Sequence, residues 1–169
     1  MDSTGVNGMN VYHASPDSNL KAIVPKRTMS KDVYIGDFVF ATTNKKLAAM
    51  YLAIRGVSTL MHHASDTPFI VMSSSPDEYL RSDPGGAIYT LPGATFEPTP
   101  QLELSESEMV SRVRVEPLDK EVFKTSIEAI KRHGVAIYFV NQPTFERIVS
   151  TKNQQEVVST LQPFFRPQY

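Results

Sequence analysis

Three residues of this sequence have side chains that could carry chemistry, and each lies at or near the boundary of a predicted element. His13 closes a short strand, Tyr51 lies in a helix after the second apolar run, and Glu108 opens a later strand. A fixed carboxylate can stabilise positive charge on a substrate, an imidazole can hydrogen-bond a hydroxyl group, and an aromatic ring can stack on a flat ring. Taken singly, each also has a structural interpretation: a surface His, a core Tyr and a Glu in a solvated turn.

Short strands and helices must position these three residues. The periodicity of apolar residues predicts where these elements lie, and Gly and Pro residues indicate where they end. Strands are predicted over residues 9–14, 38–41, 68–73, 87–91, 108–115 and 135–140. Helical segments are predicted over residues 19–24, 45–53, 76–80, 126–133 and 144–161. Residues 26–32 are predicted to be a loop, within a mobile lid over residues 26–36. Strands outnumber helices in an irregular order, so the predicted fold class is α+β.

Composition sets limits on the function. The 169 residues indicate one domain, and 41% hydrophobic residues with a net charge of −1 are typical of a globular protein without a broad basic surface for nucleic acid. The absence of cysteine excludes disulfides, thiolate metal sites and a Cys nucleophile. We find no bilayer-length apolar run and no secretory signal, so we expect a cytoplasmic protein with no membrane partner. The first eight residues are expected to be frayed.

Two segments resemble motifs of the ADP-ribosyltransferase superfamily. Residues 11–15, Val-Tyr-His-Ala-Ser, resemble its opening motif, in which Tyr-His-Gly precedes Thr or Ser. Residues 38–51 resemble the second motif of the branch that contains diphtheria toxin and poly(ADP-ribose) polymerase. In that motif an aromatic residue, a small residue and Thr end a strand, and a polar cap, Ala-Ala and Tyr follow. The spacing between Phe40 and Tyr51 is similar to that of diphtheria toxin.

A third segment, residues 107–111, is similar to the motif in which a Glu opens a strand. Glu106 competes with Glu108 for this role, and we prefer Glu108 because it directly precedes the alternating strand. The order His, Tyr, Glu matches the same branch. Two positions depart from the family pattern: Ala14 stands where Gly is preferred, and Phe40 lacks the hydroxyl of the more common Tyr.

The resemblance implies a split antiparallel β-sandwich with flanking helices, formed by a single domain over residues 1–169. NAD would lie in the cleft between its two sheets as a co-substrate, with no metal. Phe40 and Tyr51 would hold the nicotinamide ring, and the backbone of Ala14 would pair with its carboxamide. The residues expected to contact NAD are His13, Ala14, Ser15, Phe40, Ala41 and Tyr51. A basic cluster (Lys21, Lys26, Arg27 and Lys31) would face the pyrophosphate or solvent.

The catalytic residues implied by the resemblance are Glu108, His13 and Tyr51. Cleavage of the nicotinamide–ribose bond passes through an oxocarbenium-like transition state, as glycoside hydrolysis does. Glu108 would stabilise that charge and orient the incoming nucleophile. His13 would hydrogen-bond a ribose hydroxyl, which positions the substrate without doing bond chemistry.

The function implied is that of an NAD-dependent mono-ADP-ribosyltransferase, and three alternatives stay open. The same cleft would serve NAD glycohydrolysis, with water as the nucleophile. A non-catalytic module that binds NAD, ADP-ribose or a protein is favoured by Ala14. An RNA 2′-phosphotransferase is disfavoured by the near-zero charge and by Glu108. The acceptor is expected to be a protein rather than a nucleic acid. The small, single-domain chain is compatible with a toxin that has an antitoxin or regulatory partner.

Overall fold

A computed structural model describes residues 8–98, 102 and 104–168. The chain divides into two compact units, one formed by Met1–Ala48 and Gly86–Val122 and the other by Ala49–Gly85 and Phe123–Tyr169. Helices and antiparallel strands occur in both, which confirms the α+β class. A single ADP-ribosyltransferase-like domain stays a prediction. Residues 1–7, most of the segment expected to be frayed, lie outside the described residues.

Nine strands, five α-helices and one short 3-10 helix (Gly93–Thr95) follow one another in the described part of the chain. The strands are β1 (Asn10–Ser15), β2 (Lys26–Ser30), β3 (Val33–Thr42), β4 (Thr59–His62), β5 (Phe69–Ser73), β6 (Gly86–Pro92), β7 (Glu108–Ser111), β8 (Asp119–Phe123) and β9 (Ala136–Val140). The helices are α1 (Lys45–Met50), α2 (Pro76–Ser82), α3 (Ser126–Arg132), α4 (Gln142–Ser150) and α5 (Gln154–Ser159). No helix among the described residues is long and apolar enough to cross a membrane.

The first unit is built on one sheet with the strand order β2-β3-β1-β6-β8. The long strand β3 pairs antiparallel with β2 along its first part and with β7 along its second. β1 pairs antiparallel with β6 over its whole length, from Asn10↔Pro92 to Ser15↔Ala87. Apolar side chains on one side of this sheet form a buried cluster that includes Val11, Val39, Ala41, Tyr89 and Leu91.

The prediction of a loop over residues 26–32 is wrong, and the lid expected over residues 26–36 is not a long loop but part of a β-hairpin. Residues Lys26–Ser30 form β2, which pairs with β3 as a hairpin. Lys31 and Asp32 make the two-residue turn with φ values of 47° and 65°, the left-handed conformation that tight hairpin turns need. The polar sequence of β2 suits an exposed edge strand, which explains why its composition resembles that of a loop.

The helix predicted over residues 19–24 is also absent. The Tyr89 hydroxyl accepts a hydrogen bond from the Leu20 backbone at 3.0 Å and donates one to the Asp17 carbonyl at 2.7 Å. Ile23 then pairs with Val115 as an isolated antiparallel bridge. The Ile23 N–H, which a helix beginning at residue 19 would direct to the carbonyl of that residue, bonds the Val115 carbonyl at 2.8 Å instead.

The second unit contains a three-stranded sheet in the order β4-β5-β9. β4 and β5 run antiparallel, whereas β5 and β9 run parallel, from Phe69↔Ala136 to Ser73↔Val140. The antiparallel arrangement that the resemblance implies therefore does not extend to this pair of strands.

Two short helices replace the single helix predicted over residues 144–161. The hydroxyls of Ser150 and Thr151 donate to the Arg147 carbonyl and satisfy the last turn of α4. The Asn153 side chain then accepts from the Glu156 backbone and caps α5. Polar residues that compete for backbone hydrogen bonds thus divide an amphipathic stretch into two helices.

Candidate functional site

The predicted first motif lies on β1, and its His13 side chain reaches the neighbouring strand. The imidazole Nδ1 donates a hydrogen bond of 2.7 Å to the carbonyl oxygen of Phe40. Because a carbonyl only accepts, this bond fixes the proton on Nδ1 and leaves Nε2 as an acceptor in the neutral ring. Burial lowers the pKa of His13, and the charge of Lys26 acts in the same direction against the opposing effect of the Phe40 bond. The neutral tautomer is suited to accept a hydrogen bond from a hydroxyl group.

β1 and β3 separate close to His13. Their register contains one pair, Tyr12↔Thr42, although β1 continues to Ser15. From His13 onward β1 keeps β6 on its other side and has no register partner on the β3 side in the described residues. The imidazole of His13 spans this opening and bonds Phe40. The sheet is therefore split at the position of the predicted opening motif.

The other predicted NAD contacts of the first two motifs have unequal exposure. Phe40 is 36% exposed, and the centroid of its ring lies 6.2 Å from that of Phe38 in an edge-on contact. Ala41 packs in the buried cluster and offers a ligand little beyond its backbone. Ala14 is half-buried and paired with β6, and the Ser15 hydroxyl accepts from the Asp17 backbone at 3.1 Å. Among these residues, Phe40 has an aromatic ring that can stack on a flat ligand ring.

Glu108 opens β7 and lies beside the end of the second motif. Its partner in β3 is Thr42, and the adjoining pair is Ala41↔Met109. The Glu108 carboxylate accepts two hydrogen bonds from Ser105, one from the backbone at 3.0 Å and one from the hydroxyl at 2.9 Å. Glu106 is exposed in the turn that precedes the strand. Glu108 thus has the fixed carboxylate that electrostatic stabilisation requires, and Glu106 does not share its place in the sheet.

The strand that carries Phe40, β3, pairs with both β1, which carries His13, and β7, which carries Glu108, but the three side chains do not all share one face. Tyr12, Thr42 and Glu108 form a row across β1, β3 and β7, and paired residues of a sheet point to the same side. Alternation along β1 assigns His13 to the opposite side. A ligand that meets both His13 and Glu108 must therefore lie across the opening between β1 and β3.

Tyr51 lies one residue beyond α1 rather than inside the helix as predicted. The backbone N–H groups of Leu52 and Ala53 bond carbonyls three residues earlier, at 3.2 and 3.0 Å, so the chain tightens into a turn at this point. Tyr51 is 48% exposed, which is inconsistent with a purely core role. It belongs to the second unit, whereas the other predicted site residues belong to the first.

Sequence reasoning missed two groups near these motifs. Ser105, which holds Glu108, stands three residues before it, a spacing typical of a Ser–Glu capping pair. Lys45 at the start of α1 pairs with Glu121 of β8, and its ammonium lies 5.2 Å from the centroid of the Tyr12 ring. No cluster of His, Asp and Glu side chains that could hold a metal ion occurs among the described residues.

Comparisons of the chain with family models, with curated proteins and with solved structures gave no match. The functional proposal therefore depends on the geometry of the site. It provides a split between two strands, a neutral imidazole within it, an exposed aromatic ring beside it and a fixed carboxylate on the next strand.

Proposed function

We propose that the chain is an NAD-dependent mono-ADP-ribosyltransferase. The observation that carries the proposal is the adjacency of the three motif-bearing strands, with His13 bonded to Phe40 and Glu108 paired with Thr42. Residues of the three motifs are far apart in sequence, and in the first unit β3 pairs with both β1 and β7. This arrangement supports a shared ligand.

In the proposed reaction the bond between ribose C1′ and the nicotinamide nitrogen breaks, and nicotinamide leaves with the electron pair. The Glu108 carboxylate stabilises the positive charge that develops on the ribose. A lone pair of the acceptor forms the new bond to C1′, and the proton that the acceptor loses passes to Glu108 and then to solvent. The products are nicotinamide and an ADP-ribosylated acceptor.

The remaining residues bind and orient the substrate. The Nε2 atom of His13 accepts a hydrogen bond from a ribose hydroxyl, in keeping with its neutral tautomer. Phe40 stacks on the nicotinamide ring, and the positive charge of Lys26 near His13 favours the pyrophosphate. A protein acceptor is favoured over nucleic acid by the net charge of −1.

The test uses the full chain with NAD labelled in the adenosine part, a cell lysate as the source of acceptors, and a separate measurement of nicotinamide release. Glu108→Gln removes the charge and keeps the size, and Glu106→Gln is the matched control in the adjoining turn. We expect Glu108→Gln to lower nicotinamide release by about 10²–10³-fold, the usual effect of one preorganised electrostatic group. Equal activity of the two variants, or no release above background by the unmodified chain, would refute the proposal.

The second candidate is a non-catalytic module of the same architecture that binds NAD or ADP-ribose. One observation favours it: Ala14 stands where the resembled motif has Gly. Calorimetric binding of NAD without any nicotinamide release would support this candidate. Release of free ADP-ribose without labelled protein would indicate NAD glycohydrolysis instead.

A further inference from the structure

A cavity of about 390 Å³ lies in the second unit, beside the amino ends of β5 and β9. Its lining comes from three parts of the chain: the beginnings of these two strands, helix α5, and the C-terminal residues Arg166 and Pro167. We propose that this cavity binds a small monocarboxylate with an apolar body. The lining shares no residue with the proposed NAD site, so the two proposals can be tested separately.

Apolar residues supply most of the lining. Phe69 and Tyr138 lie on the same side of the sheet, because Phe69 pairs with Ala136, which stands two residues before Tyr138. The centroids of their rings lie 6.2 Å apart, and the ring planes make an angle of 85°. Val158 of α5 packs in the same buried cluster and also lines the cavity. The apolar part of a ligand would therefore leave water for a surface of aromatic and aliphatic carbon.

Tyr138 differs from Tyr79 and Tyr89, which are also buried, in what its hydroxyl contacts. The hydroxyls of Tyr79 and Tyr89 make hydrogen bonds, as buried tyrosine hydroxyls usually do. Tyr138 is only 5% exposed, and its hydroxyl makes no hydrogen bond within the described residues. This hydroxyl is not enclosed either, because the only enclosed side-chain polar atom without a partner in that part of the chain is His62 Nε2. Since Tyr138 lines the cavity, the open space that its hydroxyl meets is that of the cavity.

Arg166 is the charged residue of the lining. It is exposed, and it makes no ion pair or hydrogen bond within the described residues. No Lys, Asp or Glu is among the described residues that line the cavity. The polar side chains beside it are engaged: the Gln155 amide donates to the Thr67 hydroxyl at 2.8 Å, and the Ser159 hydroxyl donates to the Glu156 carbonyl at 2.6 Å. The guanidinium and the tyrosine hydroxyl are therefore the lining groups that lack a partner.

These two groups select the charge of the ligand. A guanidinium is positively charged and only donates hydrogen bonds, and a phenol hydroxyl can donate one. A carboxylate accepts from both and balances the positive charge. An ammonium ligand would meet a positive charge with no carboxylate in the lining, and a neutral ligand would leave the guanidinium without an ion-pair partner. One positive charge and two donors thus match one carboxylate, and the apolar surface beside them matches an apolar chain.

The probes are octanoate, octan-1-ol and acetate, titrated into the ¹⁵N-labelled full chain and followed by the backbone amide signals. We expect octanoate to shift the signals of Tyr138 and Val158 in a saturable way. Octan-1-ol lacks the charge and should bind at least about tenfold more weakly. Acetate lacks the apolar chain and should bind at least about a hundredfold more weakly. The Ala14 signal reports the proposed NAD site separately, so failure of one proposal is distinguishable from failure of the other.

Arg166→Gln removes the charge, and Arg147→Gln on α4 removes the same charge outside the lining. We expect Arg166→Gln to weaken octanoate binding, followed at Val158, by at least about tenfold and to leave octan-1-ol binding unchanged. Arg147→Gln should leave both unchanged. Tyr138→Phe keeps the ring, removes the hydroxyl and should also weaken octanoate binding by at least about tenfold. The absence of a saturable shift at Val158, equal affinity for octanoate and octan-1-ol, or unchanged octanoate binding in either cavity variant would overturn the proposal.

Discussion

The His13 imidazole donates a 2.7 Å hydrogen bond to the Phe40 carbonyl at the place where β1 and β3 separate. Where two strands part, backbone groups lose their ladder partners and need others. His13 supplies one such partner through Nδ1. The ligand-binding role that we propose for the same side chain falls to the other ring nitrogen, Nε2.

Two substitutions of His13 separate these roles. His13→Asn places an amide nitrogen close to the position of Nδ1, so it keeps a donor for Phe40 and loses the Nε2 acceptor. His13→Gln reaches the Nε2 position and loses the bond to Phe40. We expect the Asn variant to keep its free energy of unfolding within about 0.5 kcal/mol and to lose nicotinamide release, and the Gln variant to lose about 1 kcal/mol of stability. Urea unfolding measures the stability and a nicotinamide assay measures the activity. Equal losses of stability in the two variants would contradict the assignment of the two roles to different ring nitrogens.

The same residue gives a prediction about pH. Burial lowers the pKa of His13 in the folded chain below its ordinary 6.5, so the unfolded chain takes up a proton first as pH falls. The free energy of unfolding should therefore decrease as pH drops through 6.5, until the lowered pKa of the folded state is reached. Burial also lowers the pKa of His62, which contributes in the same direction.

His13→Asn removes the first contribution and leaves that of His62. The test compares the urea midpoints of the unmodified chain and His13→Asn between about pH 7.5 and about pH 5.5, on either side of the ordinary His pKa. We expect the variant to show the smaller decrease. An identical decrease in both proteins would show that His13 does not titrate differently in the folded and unfolded states.

Ser105 is predicted to position Glu108 for catalysis. Ser105→Ala removes the hydroxyl that donates to the carboxylate at 2.9 Å and keeps the backbone donor at 3.0 Å. A hydrogen bond to a charged group contributes about 1.5–3 kcal/mol, so we expect nicotinamide release to fall by at least about tenfold in kcat with a smaller change in KM. Ser105→Thr restores a hydroxyl and should restore most of kcat. Failure of Thr to rescue activity would indicate that Ser105 acts only on the turn.

The elements predicted correctly from sequence are those whose signal is local. β5 is an apolar run bounded by Pro68 and a serine cluster, and α3 has a Thr125 side-chain cap and ends before Gly134. The strand ends that carry His13 and Phe40 also follow from short apolar runs. In these segments the period of the apolar residues, the capping residues and the glycines all indicate the same element. The local sequence is therefore sufficient to predict it.

The elements missed are those decided by distant partners. β2 has a polar sequence and becomes a strand because β3 pairs with it, and its turn uses Lys31 and Asp32 instead of the expected Gly or Asn. Pairing between β1 and β3 stops after Tyr12, and no local pattern marks that point. The separation of β1 from β3 at the candidate site could therefore not be predicted from the sequence.

Tyr89→Phe tests the long-range contact that replaces the predicted helix at residues 19–24. The substitution removes an acceptor for the Leu20 N–H and a donor to the Asp17 carbonyl. Loss of these bonds should cost about 1–3 kcal/mol and should increase amide exchange at residues 17–20. Tyr34→Phe is the control, because its hydroxyl bonds Asp37 at an exposed position and should cost little. Equal effects of the two substitutions would mean that Tyr89 does not fix this segment.

Gly85 and Gly134 have nearly the same φ angle. Substitutions at these two positions therefore distinguish the cost of a steric clash from the cost of a left-handed backbone. Gly85 has φ +66° and Gly134 has φ +71°. A Cβ at Gly85 would lie 2.2 Å from the Phe123 carbonyl oxygen, whereas a Cβ at Gly134 would meet nothing within 4 Å. Gly134→Ala should therefore cost only the left-handed penalty of about 1–2 kcal/mol. Gly85→Ala carries the same penalty and must also displace backbone, so we expect it to lower the free energy of unfolding by clearly more, as measured by urea unfolding. Equal costs at the two positions would show that the backbone around Phe123 yields freely.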